Sequence, residues 1–249
     1  MTIDARDFEN LKEDVALSHR LLYRTGLGTT RGHTSARIEG TETFLIKPWP
    51  HIQMHRVRAD DLIIMDFDGN ILGGNVQTIT KVSEWPIHAE LYKAYPTLGS
   101  VLHTHQKWAS MMAIAGQTVL PVLGADLATP VAEPAPVFDE DKALIRRVEQ
   151  GVAVAKLMEG AAACHLQNHG MVFAGPNVPT VTTEAIAMEY QAEMTWRAQV
   201  IGKPGVLSPR ALRAGRERRN RGEVPAAWEH YWRWVDTESD ALRPRSADL

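Results

Sequence analysis

The stretch Ser100-Val101-Leu102-His103-Thr104-His105 is a short apolar run that ends in two alternate histidines. Bounded by Gly99 and followed by a helix-like segment, it reads as a strand. Side chains alternate along a strand, so His103 and His105 point to one face a few ångströms apart. Two imidazoles so placed suit one divalent metal ion, and equally suit two hydrogen-bonded histidines at a strand end. What surrounds them has to decide.

Upstream, Ser83-Glu84-Trp85-Pro86 looks like a helix start, with Ser83 as cap and proline in the first turn. The helix is predicted to run to Tyr95, where Pro96 stops it. Glu84 is either a metal-site carboxylate or a helix-start acid facing the dipole. His88, one turn on, reads as packing or support, and Glu90 as solvent-facing. Downstream, helices are expected at 106–115, 141–158 and 178–201, and strands at 161–167 and 171–174. Residues 119–138, rich in Pro, Ala and Val, read as loops or short strands. Asn168-His169-Gly170 is a tight turn that offers a third imidazole, with Gly170 permitting close approach or a positive φ. Alone, His169 reads as a surface residue.

Toward the N-terminus, Phe8, Leu11, Val15, Leu17, Leu21 and Leu22 recur at roughly helical spacing, predicting a helix over 7–25 that Gly26 and Gly28 end. Strands follow at 34–39 and 43–47 around Gly40, with a third in 61–66 and a hairpin turn at 66–70. From Gly202 the chain becomes arginine-rich, then aromatic at Trp228, Tyr231, Trp232 and Trp234. We read residues 1–201 as one α/β catalytic body and 202–249 as a helical extension packed on the body or on a neighbour. Irregular alternation with hairpins predicts an αβα sandwich around a mixed, largely antiparallel sheet.

Composition narrows the function. A formal charge of -3 argues against nucleic-acid binding. Cys164 is the single cysteine, which excludes an intrachain disulfide and points to the cytoplasm. The charged start lacks the apolar stretch of a signal peptide, and no run reaches membrane-spanning length.

With Gly32-His33-Thr34-Ser35-Ala36-Arg37, Ser83-Glu84-Trp85, Val101 to His105 and Asn168 to Val172 in this order, the chain resembles the class II aldolase/adducin family over roughly residues 7–201. The resemblance implies one divalent metal ion per subunit (zinc, manganese, iron or cobalt), held by His103, His105 and His169. It implies that Glu84 serves as acid/base and resting ligand, and that the chains form a homotetramer. Adducin shares the fold without the metal site, but all four donors are present here.

The departures concern the substrate. Where the family's sugar-phosphate aldolases cradle a phosphate, this chain has His33, Trp49-Pro50 and Val82-Ser83. The aldolases' tyrosine proton donor is missing from a region that reads Gly124-Ala125-Asp126-Leu127. Proline has no N–H, and tryptophan fills room that a phosphate needs. The motifs and the Trp228 region resemble the decarboxylase branch, which acts on hydroxypyridine-dicarboxylates and dihydroxyphthalates. We therefore expect a decarboxylase of a small hydroxylated aromatic or heteroaromatic acid. Glu84 and His33 would be catalytic, with Thr30, Arg31, Lys47, Trp49 and Ser83 around the substrate. Aldol cleavage of a non-phosphorylated hydroxy-ketone or keto acid, iron-dependent oxygenation, and metal-free adducin-like binding stay open.

Overall fold

The computed structural model describes residues 4–28, 31–49, 52–74, 80–123 and 134–239. Helix α1 (Ala5–Arg24) leads into β1 (His33–Arg37), β2 (Thr43–Ile46), β3 (Ile63–Asp66) and β4 (Ile71–Gly74). Then come α2 (Trp85–Ala94), β5 (Ser100–Thr104), α3 (Lys107–Ile114), β6 (Val137–Phe138) and α4 (Val148–Leu157). The chain finishes with β7 (Ala163–Leu166), β8 (Gly170–Gly175), α5 (Val178–Ile201), α6 (Pro209–Asn220) and α7 (Ala226–Ser239). Among the described residues no helix is long and apolar enough to cross a membrane.

The strands form one sheet in the order β4-β3-β2-β1-β5-β8-β7-β6. Every pairing is antiparallel except β6 with β7, so the sheet is mixed and largely antiparallel as expected. Alternation splits its side chains between two cores. Phe44, Ile46, Val101 and Val172 pack beneath α2 and α4 with Ile87, Leu91 and Val154. Leu102, Met171 and Phe173 pack with Met112 of α3 and Val181 and Ala185 of α5. Helix α1 closes that second face through Val15, Leu17 and Leu21, and Trp228 and Val235 of α7 lie over it.

Several boundaries differ from expectation for identifiable reasons. Glu84, not Ser83, is the N-cap of α2, and no side chain caps that helix end, because the Glu84 carboxylate turns toward the histidines. Strand β5 ends at Thr104, and His105 lies just beyond it, its N–H donated to the Leu27 carbonyl at 3.1 Å. Helix α4 begins at Val148, not near 141. The Gln150 side-chain Oε1 folds back to accept the N–H groups of Arg146 and Arg147 at 2.9 and 3.0 Å, and Ile145 N–H goes to Glu84. Those donors are spent outside the helix, so residues 141–147 stay irregular. Residues 124–133, including the region where a tyrosine is missing, lie outside the described residues.

The extension is tied to the body. Arg219 of α6 reaches the buried Glu184 of α5, with Nε 2.6 Å from Oε1, and also donates to the Ala174 carbonyl. Trp228 is buried against α1 and donates its Nε1–H to Asp14 at 3.2 Å.

Candidate metal centre and adjoining cleft

Strand register builds the centre. His33 of β1 is the cross-strand partner of His103 on β5, so both imidazoles stand on the α2 side of the sheet. The turn before β8 brings His169 beside them. Its reversal is made by Asn168, at φ 62, while Gly170 lets the backbone approach the Thr104 carbonyl too closely for a Cβ. Glu84 enters from the start of α2.

One potential ligand atom from each of Glu84, His103, His105 and His169 lies within 4.8 Å of all the others. His103 Nε2 is 3.0 Å from His105 Nε2 and 3.6 Å from Glu84 Oε2, and His169 Nε2 is 3.3 Å from Glu84 Oε1. Two nitrogens bound to one tetrahedral ion at ordinary bond lengths stand about 3.3 Å apart, so the donors have the right spread. His103 Nδ1 faces the Met171 carbonyl at 2.9 Å and must carry its proton there, which leaves the Nε2 lone pair toward the centre. Neither ring nitrogen of His169 has a hydrogen-bond partner among the described residues, although both are buried. A buried imidazole with no partner is costly, and a metal ion would satisfy it.

Electrostatics favours the ligand form. Burial pulls His103 well below the usual histidine range, and it brings His105 to about 4, with the His169 and Arg31 charges helping. Burial lowers His169 too. These imidazoles are therefore neutral near pH 7 and hold no proton that a metal must displace. Glu84 is buried, and its Oε1 accepts the Ile145 N–H at 3.2 Å.

His33, expected from sequence to be catalytic, is not a cation. Burial first, and then the Lys47 charge, hold it well below the histidine range. Its Nδ1 meets His88 Nε2 at 2.6 Å, His88 Nδ1 meets Ser35 Oγ at 2.7 Å, and Ser35 Oγ meets the Tyr92 hydroxyl at 2.7 Å. This buried chain fixes His33 with Nε2 3.9 Å from Glu84 Oε2. His88 thus acts through His33, in keeping with its reading as support.

A cleft with about 470 Å³ of empty space, part of it open to solvent, adjoins the centre and is lined by Arg31, Gly32, His33, Trp49, Val82, Ser83, Glu84, Leu144 and Arg146. Of the expected substrate residues, Arg31, Trp49 and Ser83 line it, and Thr30 lies outside the described residues. Lys47 does not line it. Its side chain is wholly buried, Nζ has no hydrogen-bond partner among the described residues and lies 5.4 Å from the Trp49 ring centroid, and burial brings its pKa down to about 8. Glu90 is also corrected: it is buried, paired with Lys93 at 3.1 Å, and outside the donor cluster. Sequence reading missed Leu144, Ile145 and Arg146. Only the tertiary contact with Glu84, 61 residues away, brings that segment to the site.

Comparison with known proteins gives concordant results. The family model described as Class II Aldolase and Adducin N-terminal domain matches residues 13–196. A probable L-ribulose-5-phosphate 4-epimerase of Mycoplasma pneumoniae is 27% identical, across 80% of this chain and 86% of its own. An L-fuculose 1-phosphate aldolase structure superposes with a TM-score of 0.71 at 23% identity, covering 87% of this chain and 97% of the other. A second, from Glaciozyma antarctica, gives 0.77 at 19% identity, covering 96% and 93%. At such identities the structural likeness speaks for the fold alone.

Proposed function

The chain belongs to the class II aldolase and adducin family, and from that premise we propose a metal-dependent carbon–carbon lyase that decarboxylates a hydroxylated aromatic or heteroaromatic acid. A divalent ion held by His103, His105, His169 and Glu84 would supply a Lewis acid that stabilises negative charge developing on a nearby substrate oxygen. The protein's own groups do the rest. Neutral imidazoles leave the ion its full charge. Glu84, anchored at Oε1 by Ile145 N–H, stands where it can carry a proton to the carbon that loses CO2. His33 faces Glu84 and limits where its carboxylate can swing.

The observation that carries the decarboxylase reading is the flat apolar wall that Trp49, Val82 and Leu144 give the cleft. Trp49 N–H is already given to the Thr80 carbonyl at 2.8 Å. Val82 offers an apolar wall. A phosphate held there would get no N–H from Trp49 and would rely on the Arg31, Ser83 and Arg146 side chains. The indole and apolar walls suit a flat ring instead.

The sugar-phosphate relatives favour a second reading, aldol cleavage of a hydroxy-ketone or keto acid by the same charge stabilisation. One assay separates the two. The metal-loaded protein is given dihydroxyphthalates, L-fuculose 1-phosphate and ribulose 5-phosphate, and both CO2 and aldehyde are followed. CO2 from a dihydroxyphthalate is expected, and aldehyde from a sugar phosphate would overturn the decarboxylase reading. We further propose a homotetramer, which light scattering on the full chain tests.

A further inference from the structure

We propose that the buried chain Tyr92–Ser35–His88 carries its protons in one direction and so fixes the tautomer of His33, which then presents Nε2–H to Glu84; His88 is thereby a positioning residue for that carboxylate. The proton order stands on the hydrogen bonds, and only its kinetic consequence rests on the reading of Glu84 as acid/base.

The order is read from the far end of the chain. Tyr92 is buried, and Ser35 Oγ, at 2.7 Å, is the one hydrogen-bond partner of its hydroxyl among the described residues. Burial raises the phenol well above its ordinary range, so it keeps its proton, and a buried O–H needs an acceptor. Tyr92 therefore donates to Ser35, which has one proton of its own to give. His88 Nδ1 lies at 2.7 Å and the Val101 carbonyl at 3.3 Å, so the imidazole is the better acceptor. With Nδ1 accepting, a neutral His88 carries its proton on Nε2 and donates it to His33 Nδ1 at 2.6 Å. Burial keeps both imidazoles neutral, so His33 is left with its single ring proton on Nε2.

The opposite order is worse at both ends. It would make Ser35 accept from Tyr92 and His88 together and send its own proton to the longer Val101 contact. It would also aim the His33 Nε2 lone pair at Glu84 Oε2, 3.9 Å away in a buried site, where two negative ends repel. In the proposed order an N–H dipole faces that oxygen. At 3.9 Å this is an attraction and not a hydrogen bond. Glu84 is then held on two sides, by Ile145 N–H at Oε1 and by His33 facing Oε2. Tyr92, Ser35 and His88 lie outside the donor cluster and do not line the cleft, so they act on the carboxylate through His33.

Neutron crystallography of the perdeuterated, zinc-loaded full chain locates the ring protons directly and needs no variant. Deuterons on Nε2 of both His33 and His88 are expected. A deuteron on Nδ1 of His33, or on Nδ1 of His88, would overturn the proposal. The kinetic consequence is read on the substrate that the CO2 and aldehyde assay identifies. His88→Leu should lower kcat roughly 10- to 100-fold, with KM and metal content unchanged. His88→Gln, whose amide N–H can still donate to His33 Nδ1, should restore most of that loss. Equal losses in the two variants, or a rise in KM alone, would overturn the positioning role. The diffraction result involves no substrate, so the two ideas fail separately. Deuterons in the proposed places in a protein that releases no CO2 would sink the decarboxylase and leave the proton order standing. CO2 release from a protein with its deuteron on His33 Nδ1 would do the reverse.

Discussion

Replacing Glu84 with glutamine separates proton transfer from metal binding. The carboxylate makes one well-defined hydrogen bond, from Ile145 N–H to Oε1 at 3.2 Å, and an amide oxygen can accept it equally. Oε2 is 3.6 Å from His103 Nε2 and 3.9 Å from His33 Nε2, so a glutamine NH2 fits there without a clash. The exchange turns one charge-assisted bond into a neutral one, a loss of about 1 kcal/mol, or a melting shift of a few degrees for a chain this long. Three imidazoles remain to hold the ion, so metal content by mass spectrometry should stay near that of the wild type. Turnover should fall ~100-fold or more, about 2.7 kcal/mol at the barrier, because an amide cannot carry the proton. His103→Ala serves as the control: it removes the donor whose tautomer Met171 sets, and metal and turnover should vanish together. A Glu84→Gln protein as active as wild type would remove Glu84 from the chemistry. Metal lost in proportion to activity would show that the lost turnover reports metal loss, and would remove the proton-carrier role.

Two further outcomes concern the extension. Burial raises Asp14 from its ordinary 3.8 to about 6, against the opposing hydrogen bond from Trp228. The folded state therefore binds the proton more tightly than the unfolded chain, and stability should rise as pH falls from 6 toward 4, by at most about 3 kcal/mol; Asp14→Asn should flatten that slope in denaturant titrations, and an unchanged slope would refute the assignment. Removing residues 222–249 takes away the buried Trp228 and Val235, so the melting temperature should drop by the equivalent of several kcal/mol and activity should fall, whereas a stable, fully active truncation would show that the helix contributes nothing.

What the sequence disclosed, and what it withheld, follow from how far each feature reaches along the chain. The four residues that the structure clusters were marked as candidates by local punctuation, and only the family's motif order joined them into one set, since His169 alone read as a surface residue. His103 and His105 close an apolar run, His169 occupies a turn before Gly170, and Glu84 stands two residues before a helix-starting proline. The order of strands and the long helix at 178–201 were legible for the same reason, since period and caps are written within a few residues of each other. The errors fall where a distant segment changes a residue's surroundings. His33 read as a catalytic residue on its own, and its partner His88 on α2 lies 55 residues away. Lys47 read as a substrate residue, yet it is completely buried. The span 141–158 has helical periodicity, but its first turn never forms, because Ile145 N–H is taken by Glu84 and Gln150 folds back onto Arg146 and Arg147. That last misreading has a functional consequence. A helix through 141–147 would have kept Ile145 N–H within its own ladder, leaving Glu84 without that anchor. Leaving that one turn unwound anchors the Glu84 carboxylate and sets Leu144 and Arg146 at the cleft, so a non-local hydrogen bond joins the local motifs of the donor cluster to the wall of the cleft.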